Sequence, residues 1–555
     1  MPSSVVALAR SGAHARPRKR SLPGSTTIVG IVAVGGAAIG LYMRLWLIFH
    51  APTSSDVAVV GLMAQGALHG HFNAFYGGQA YGGTAEPILI ALAFRIFGQS
   101  GVVAELVVGT LAAVAAVLTQ RIALRLVPPK VALLAGVLAW AAPAVAVRDS
   151  VRVYGFRGVT LVCGLGLILA ALRLLDDQKS LLIFLVLGLL AGIGWWSSPE
   201  IAYYLVPTAV LLGAALVRTR DWREWWAGLL VAVVGAIVGS LPWIWANAAS
   251  GFASLHDTQA TTVSFSGRLS IFFRYALPME FGLRRADDGA WILGSLHLIA
   301  LMVILAAIIA ALGLSLARGG RAMAIGLGVL AFPILYAISP ASWAWQDGRY
   351  ASYLVPLLAL TTAIGVCEAV RRWNRPPPWS DMVMSGMVAL LVTLAVIGLW
   401  QVVSIESASY TSRWGDPDAP TVAAASKLER SGVATAYADY WVAYKLDFLS
   451  DGRLNITTVG YEDDRSPSIN AAVERSKHPA WIFVPSREAT IDGIQFTAPS
   501  LAVGPDTVTQ AQFTTTLDRL GIGYRVVDVG ILRAVIPDRT LSPHEAGMPG
   551  AGPST

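Results

Sequence analysis

The stretch HAPTSSDVAVVGLMAQGALHGHFNAFYGGQAYGGTAEPILIALAFRIFGQ, His50 to Gln99, interrupts an otherwise apolar first half with a long polar loop. It contains Asp56 and Glu86, the only carboxylates before Glu105. Between them lie His69, His71, Tyr76, Gln79 and Tyr81, and the glycines Gly77, Gly78, Gly82 and Gly83 allow tight turns and close backbone approach. Pressed between apolar runs, such a loop predicts a site at a membrane surface that closes around a polar ligand. The run Pro87 to Phe97 is too short to cross a bilayer and predicts an interfacial helix.

Outward from this loop, composition sets the solvent. Of 555 residues, 55% are hydrophobic and 14% charged, against roughly 25% charged in soluble domains. Mean hydropathy is +0.60. These values describe a polytopic α-helical membrane protein. The net charge of +7 is concentrated in short loops between apolar runs, the positive-inside pattern, so nucleic acid is not the expected partner. Cys163 and Cys367 each lie within an apolar run, which excludes a disulfide framework.

Residues 1–25 are rich in Pro, Ser and Arg, and Arg16, Arg18, Lys19 and Arg20 precede the apolar run Thr26 to Phe49. That run exceeds a signal-peptide core and predicts an uncleaved anchor behind a disordered, cytoplasmic N-terminus. Further runs at 102–126, 131–147, 158–175, 181–196, 201–217, 226–246, 291–316, 322–338, 350–370 and 382–403 bring the total to about eleven transmembrane helices. Alternate connections carry the basic residues: Arg121, Arg125 and Lys130; Arg173 and Lys179; Arg218, Arg220 and Arg223; Arg318 and Arg321; Arg371, Arg372 and Arg375. All fall on the side of the basic N-terminus, so the transmembrane domain 26–403 turns loops 50–99 and 250–290 outward. The second loop contains LSIFFRYALPMEFGLRR, which reads as interfacial or as an ordinary long loop. From 404 to 541, strand-length apolar runs at 434–438, 454–459, 481–484, 524–529 and 532–536 alternate with helices near 440–449 and 507–520, predicting an external α/β domain. The Gly-, Pro- and Ser-rich tail 542–555 is expected to be disordered.

Asp56 follows the end of the first span, and a carboxylate so close to a membrane is a functional candidate. Ser54, Ser55 or Asp56 could equally cap a helix running toward Gly70. Glu86 before Pro87 has a similar helix-start alternative. Arginines at outer span ends, Arg44, Arg148, Arg152, Arg157, Arg284 and Arg349, either snorkel to headgroups or bind an anion. Trp195 and Trp196 fit an aromatic belt or a ligand platform. Asp439, Tyr440, Trp441 and Tyr444 share a predicted helix that binds glycan or packs on its sheet. No paired histidine spacing with a third ligand marks a metal site.

The order of a first span ending in Arg44, an external SSD loop at Ser54 to Asp56, YGGQAYGGTAEP at Tyr76 to Pro87 and a short helix ending in Phe97 and Gly98 resembles the GT-C superfamily of integral-membrane glycosyltransferases. Within it the chain is most similar to relatives of protein O-mannosyltransferases and the lipid A aminoarabinose transferase. GWWSSPEIAYYLVP from Gly194, RYALPMEFGLR from Arg274, DGRYASYLVPL from Asp347 and ADYWVAYKLDFLSDGR from Ala438 extend the likeness over most of 27–536. The resemblance implies inverting transfer of a sugar from a polyprenyl-phosphate donor to an envelope glycan, lipid or protein at the outer face of the cytoplasmic membrane. It implies Asp56 as general base, with Glu86 orienting a substrate or sharing that role. Arg349, Arg157, Arg44 and Arg284 would bind the donor phosphate, and Tyr76, Gln79, Tyr81, Trp195, Trp196 and Tyr350 the substrates. Where many relatives carry adjacent acids, this chain has Asp56 followed by Val57, which weakens a paired-acid or metal-dependent site and leaves a divalent cation as the one cofactor open. The alternatives are a transporter or flippase of a lipid-linked sugar and a non-catalytic, glycan-binding homologue. Transporters tend to show repeats and broken, charged spans, whereas here the ionisable residues collect in outer loops.

Overall fold

The structure, a computed structural model, describes residues 24–548 except 142, 177–179, 219–221, 257–262, 286–287, 343–347, 373–378, 405–415, 460–464, 486–499 and 504–505. The basic N-terminal segment and residues 549–555 thus lie outside the described residues. The chain opens with α1 (Gly24–His50), α2 (Ser55–Leu68), α3 (Ala85–Phe97), α4 (Gly101–Ala123), α5 (Pro129–Trp140), α6 (Ala144–Asp149), α7 (Arg157–Leu175), α8 (Leu181–Ser197) and α9 (Ala202–Arg218). There follow α10 (Trp222–Gly239), α11 (Leu241–Ser250), α12 (Ala253–His256), α13 (Phe265–Ile271), α14 (Leu277–Glu280), α15 (His297–Arg318), α16 (Gly320–Ile338), α17 (Leu354–Arg372) and α18 (Trp379–Ser404).

Among the described residues, eight helices are long and apolar enough to cross a membrane, or nine if the bent pair α10 and α11 is one span. The protein is therefore multi-pass, but three expected spans differ in form. The run 226–246 bends by 58° between α10 and α11, where Pro242 enters the chain without an N–H to continue the ladder. The run 131–147 divides into the 12-residue α5 and the short α6, with Pro143 between them. The third, 181–196, is the 17-residue α8, which packs tightly along α10. A Cβ at Gly188 or Gly192 would run into the carbonyl of Ala232 or Ala236, and Gly235 and Gly239 meet α8 in the same way. Glycines four apart on both helices thus let the two backbones touch.

Three of the basic loops meet at one end of the bundle. Arg125 and Arg321 both pair with Asp176, the latter at 2.6 Å, and Arg318 donates to Leu126 O at 2.9 Å. At the other end lie α2, α3 and the segment α13 to α14, which is continuous through a π-helical turn at Phe272–Ala276 and buries Phe272, Ala276 and Met279.

The C-terminal unit contains α19 (Ala419–Arg430), β1 (Thr435–Tyr437), α20 (Tyr440–Leu449), β2 (Asn455–Thr457), α21 (Pro467–Glu474), β3 (Ala480–Phe483), β4 (Ser500–Val503), β5 (Asp506–Thr509), α22 (Gln510–Arg519), β6 (Tyr524–Asp528) and β7 (Arg533–Pro537). The main sheet has the order β2-β1-β3-β7-β6, parallel across β2, β1 and β3 and antiparallel beyond. Central β3 is buried on both faces: Ala480 and Ile482 join a cluster with α19 and α20, Trp481 and Phe483 one with Phe513 and Leu517 of α22. Residues 507–509, expected in the second helix, pair instead as β5 with β4, and Thr509 caps α22. The expected disorder of the tail does not reach Ser542–Met548, because Ala546 and Met548 pack into the Trp481 cluster.

Candidate active site

Helix α2 begins at the end of the first span, and its cap decides what Asp56 is free to do. Ser54 is the N-cap, its Oγ accepting from Val57 N at 3.3 Å, so Asp56 does not cap the helix. Asp56 instead faces across the loop, near the positive end of the helix dipole. Its Oδ2 lies 3.8 Å from Arg349 Nη1, and its Oδ1 accepts from the Tyr440 hydroxyl at 3.3 Å. Asp56 and Arg349 are each about a third exposed, so the pair is open to a ligand.

Arg349 sits in the turn Gly348–Ala351 that leads into α17, and Arg157 opens α7. Two tyrosine rings hold both guanidinium groups. Arg157 lies 4.5 Å from the Tyr154 centroid and 4.2 Å from that of Tyr350; Arg349 lies 4.9 and 5.4 Å from the same rings. Cation–π contact orients the two groups without neutralising them. Glu200, in the turn after α8, lies in the field of both arginines.

Arg157 also lines a cleft of about 720 Å³ between the helices, with Arg44, Asp149 and Arg152 as its other charged residues and Val108, Ala112, Ala115 and Leu161 among its apolar ones. Arg44 caps α5 by donating to Trp140 O at 2.9 Å and stacks on the Trp140 ring at 3.7 Å. Arg349, Arg157 and Arg44 are thus brought to one region. Arg284 is engaged in its own loop, stacked on Tyr275 and Trp291 and donating to Gly289 O.

Tyr76, Gln79 and Tyr81 gather around Arg465 of the C-terminal unit. Arg465 lies 5.5 Å from the Tyr76 ring and donates to Gly77 O at 3.2 Å. With its amide turned to satisfy its neighbours, Gln79 accepts from both Arg465 Nη atoms at 2.5 and 2.8 Å and meets the Tyr81 hydroxyl at 3.2 Å. Burial, then the nearby Tyr440 and Asp56, push the Tyr76 hydroxyl well above its ordinary pKa and keep it a donor. The loop glycines serve packing rather than ligand closure: Gly77 abuts the Arg465 carbonyl and Gly83 that of Trp196.

Glu86 is not at the cleft. It is wholly buried, with Oε1 accepting from Gly155 N at 3.0 Å and Oε2 from Gly158 N at 2.9 Å. Burial pushes its pKa up to about 7 against the pull of those donors. It bolts α3 to the start of α7 and thereby positions Arg157; an orienting or base role would need an oxygen facing a substrate. Trp196 is likewise a seam residue, its Nε1 donating to Ala74 O at 2.7 Å, and Trp195 packs against Trp243 at 6.1 Å.

Four site residues were outside the expected set: Tyr154, Glu200, Tyr440 and Arg465. Tyr154 stands in YGFRG, three residues before the expected Arg157, and Glu200 lies within GWWSSPEIAYYLVP. In sequence Tyr440 reads as glycan-binding or packing, and Arg465 carries no local signal because its partners are distant in the chain.

Among the described residues no three His, Cys, Asp or Glu side chains converge to hold a metal ion. The two oxygens of Asp56 face Arg349 and Tyr440 rather than further acids. Among the described residues that donor set, a single carboxylate, does not fit a divalent cation.

No protein-family model matches the sequence, and no curated protein matches it. Among solved structures the chain is similar to ArnT from Cupriavidus metallidurans bound to undecaprenyl phosphate, with a TM-score of 0.60 and 13% identity over 96% of this chain and 100% of that one. The apo state of the same protein gives 0.58 and 13% over 95% and 100%. The chain therefore has the fold of ArnT along nearly its whole length, as the sequence resemblance led one to expect.

Proposed function

We propose that the chain is an inverting glycosyltransferase that moves a sugar from a polyprenyl-phosphate donor to a cell-envelope acceptor at the outer face of the cytoplasmic membrane. The observation that carries this reading is the juxtaposition of Asp56 with Arg349 and Arg157 beside an apolar cleft between helices. An acceptor hydroxyl must lose a proton as its oxygen attacks the anomeric carbon, and the carboxylate of Asp56 takes that proton. The bond from the anomeric carbon to the phosphate oxygen breaks, and charge grows on the departing polyprenyl phosphate. Arg349 and Arg157 meet that charge, and their tyrosine sandwich holds them in place before it develops. When phosphate engages Arg349, the loose ion pair to Asp56 opens and frees the base. Arg44, deeper in the cleft, adds positive potential along the path of the lipid phosphate. The shared fold with ArnT, solved with undecaprenyl phosphate, supports a lipid-phosphate ligand.

The test is turnover of a panel of polyprenyl-phosphate sugars by the purified full chain in lipid, with parent and Asp56→Asn compared. Loss of a general base lowers the rate by about 10²- to 10⁴-fold with donor binding retained. Full transfer by Asp56→Asn, or no turnover of any donor by the parent, removes the assignment. For orientation, a cysteine at Ser466 in a chain lacking Cys163 and Cys367 reacts with an impermeant thiol reagent in intact spheroplasts; labelling only after lysis would reverse the sidedness.

A further inference from the structure

A second cleft, of about 850 Å³, lies between α2, α3 and the C-terminal unit and shares Arg465 with the candidate active site. One wall is apolar, with Val59 and Met63 of α2 and Ile88 of α3. The facing wall is polar, with Tyr444, Arg465, Ser466 and Ser468. Phe72 and Asn73 form an exposed rim.

The two helices point this cleft at the base. Asp56, Val59 and Met63 stand at i, i+3 and i+7 and therefore share one side of α2. Tyr440 and Tyr444 stand at i and i+4 and share one side of α20. Tyr440 holds Asp56, while Tyr444 lines the cleft and its hydroxyl accepts from Arg465 N at 3.1 Å. From Asp56 to Met63 the helix rises about 10 Å, enough for more than one sugar ring. A sugar presents flat C–H faces and a rim of hydroxyls, and the cleft presents an apolar wall, an exposed phenyl ring and a facing row of hydroxyl and guanidinium groups. The bundle cleft differs in kind, because small apolar side chains of long helices line most of it.

We infer that this second cleft is the acceptor subsite and takes the hydroxyl-rich end of an envelope glycan, with the attacking hydroxyl delivered to Asp56. The inference rests on the proposed transferase reading and assigns its acceptor class. Donor lipid phosphate and acceptor glycan then approach the base from separate clefts and do not compete.

The experiment measures fluorescence anisotropy of reducing-end-labelled oligosaccharides released from the envelope of cells that produce the protein. The full chain in nanodiscs is compared with Asn73→Trp and Ser468→Trp, two exposed positions at which a bulky ring fills the cleft without entering a core. The parent binds, both variants bind at least tenfold more weakly, and saturating undecaprenyl phosphate leaves glycan binding unchanged. Absence of binding by the parent, equal binding by either variant, displacement by undecaprenyl phosphate, or binding of a Ser- and Thr-rich peptide in place of glycan would each overturn the assignment. Undecaprenyl phosphate is followed separately by thermal shift in all three proteins. If it stabilises none of them, the donor reading fails while the glycan measurement still decides the subsite.

Discussion

At the scale of single residues, Asp56 and Glu86 began with the same two readings, cap or chemistry, and the structure separates them by their partners. Ser54 takes the cap and leaves Asp56 to Arg349 and Tyr440, whereas both oxygens of Glu86 are held by backbone donors. Arg349 is positioned by rings as well as charge, so Arg349→Lys restores less than charge alone would suggest. Arg349→Ala is expected to raise the donor KM tenfold or more in a donor titration, and Arg349→Lys to fall between it and the parent. Glu86 makes a separate prediction about stability. Its folded pKa of about 7 lies above the usual 4.5, so the folded state binds the extra proton between those values. Stability from this group is full below pH 4.5 and is lost as pH rises toward 7, by up to about 3 kcal/mol. Glu86→Gln leaves one backbone N–H without its acceptor and starts lower, by about 1 kcal/mol. Its melting temperature then falls less over that pH window, so the two curves converge; parallel curves would show that Glu86 does not titrate there. The candidacy of Asp56 was legible in sequence because capping chemistry is local. The burial of Glu86 was not, since its donors lie 69 and 72 residues away, and the contact of Arg465 with Gly77 spans 388.

At the scale of elements, hydropathy located the long helices well, since a span must satisfy its own backbone whatever its neighbours do. It failed where proline divided a run, because Pro143 and Pro242 are themselves compatible with an apolar stretch and change hydropathy little. The short α8 shows what hydropathy alone passes over. Gly188 and Gly192 in GLLAG and Gly235 and Gly239 in GAIVG were readable as a reciprocal small-residue seam. With backbones in contact, even a methyl group has no room, and a larger side chain must part the helices. Gly188→Leu is expected to lower the melting temperature of the purified protein by more than Leu181→Ala, an exposed position on the same helix. Equal shifts for the two would mean that the seam contributes nothing. In the C-terminal unit, β3 was legible as a continuous apolar run because both of its faces are buried, whereas β4 and β5 lack any such run.

At the scale of the molecule, the site belongs to neither the bundle nor the C-terminal unit alone. Asp56 comes from the first and Tyr440 and Arg465 from the second, and the seam between them is the packing of α2 on α20. A Cβ at Gly61 would enter the Phe448 ring, which also stacks with Phe94 of α3 at 6.2 Å. Beside this seam, Asp418 at the start of α19 accepts from Thr53 N at 2.8 Å and from Thr53 Oγ1 at 2.5 Å. Together these contacts hold the loop that carries Asp56 against the unit that supplies its hydroxyl partner. None of them is local in sequence, which is why two parts legible one by one did not reveal a shared site. Gly61→Leu therefore tests the assembly. The added side chain has nowhere to go but against Phe448, so α20 moves away from α2 and takes Tyr440 from Asp56. Hydrogen exchange is expected to speed up across α20 while α7 and α16 are unchanged, because their buried residues belong to a separate core cluster. Transfer falls at least tenfold, yet undecaprenyl phosphate still stabilises the protein, since Arg44, Arg157 and Arg349 all belong to the bundle. Were donor binding lost together with transfer, the lipid-phosphate site would have to reach into the C-terminal unit. Were both retained, Tyr440 would have no part in holding the base.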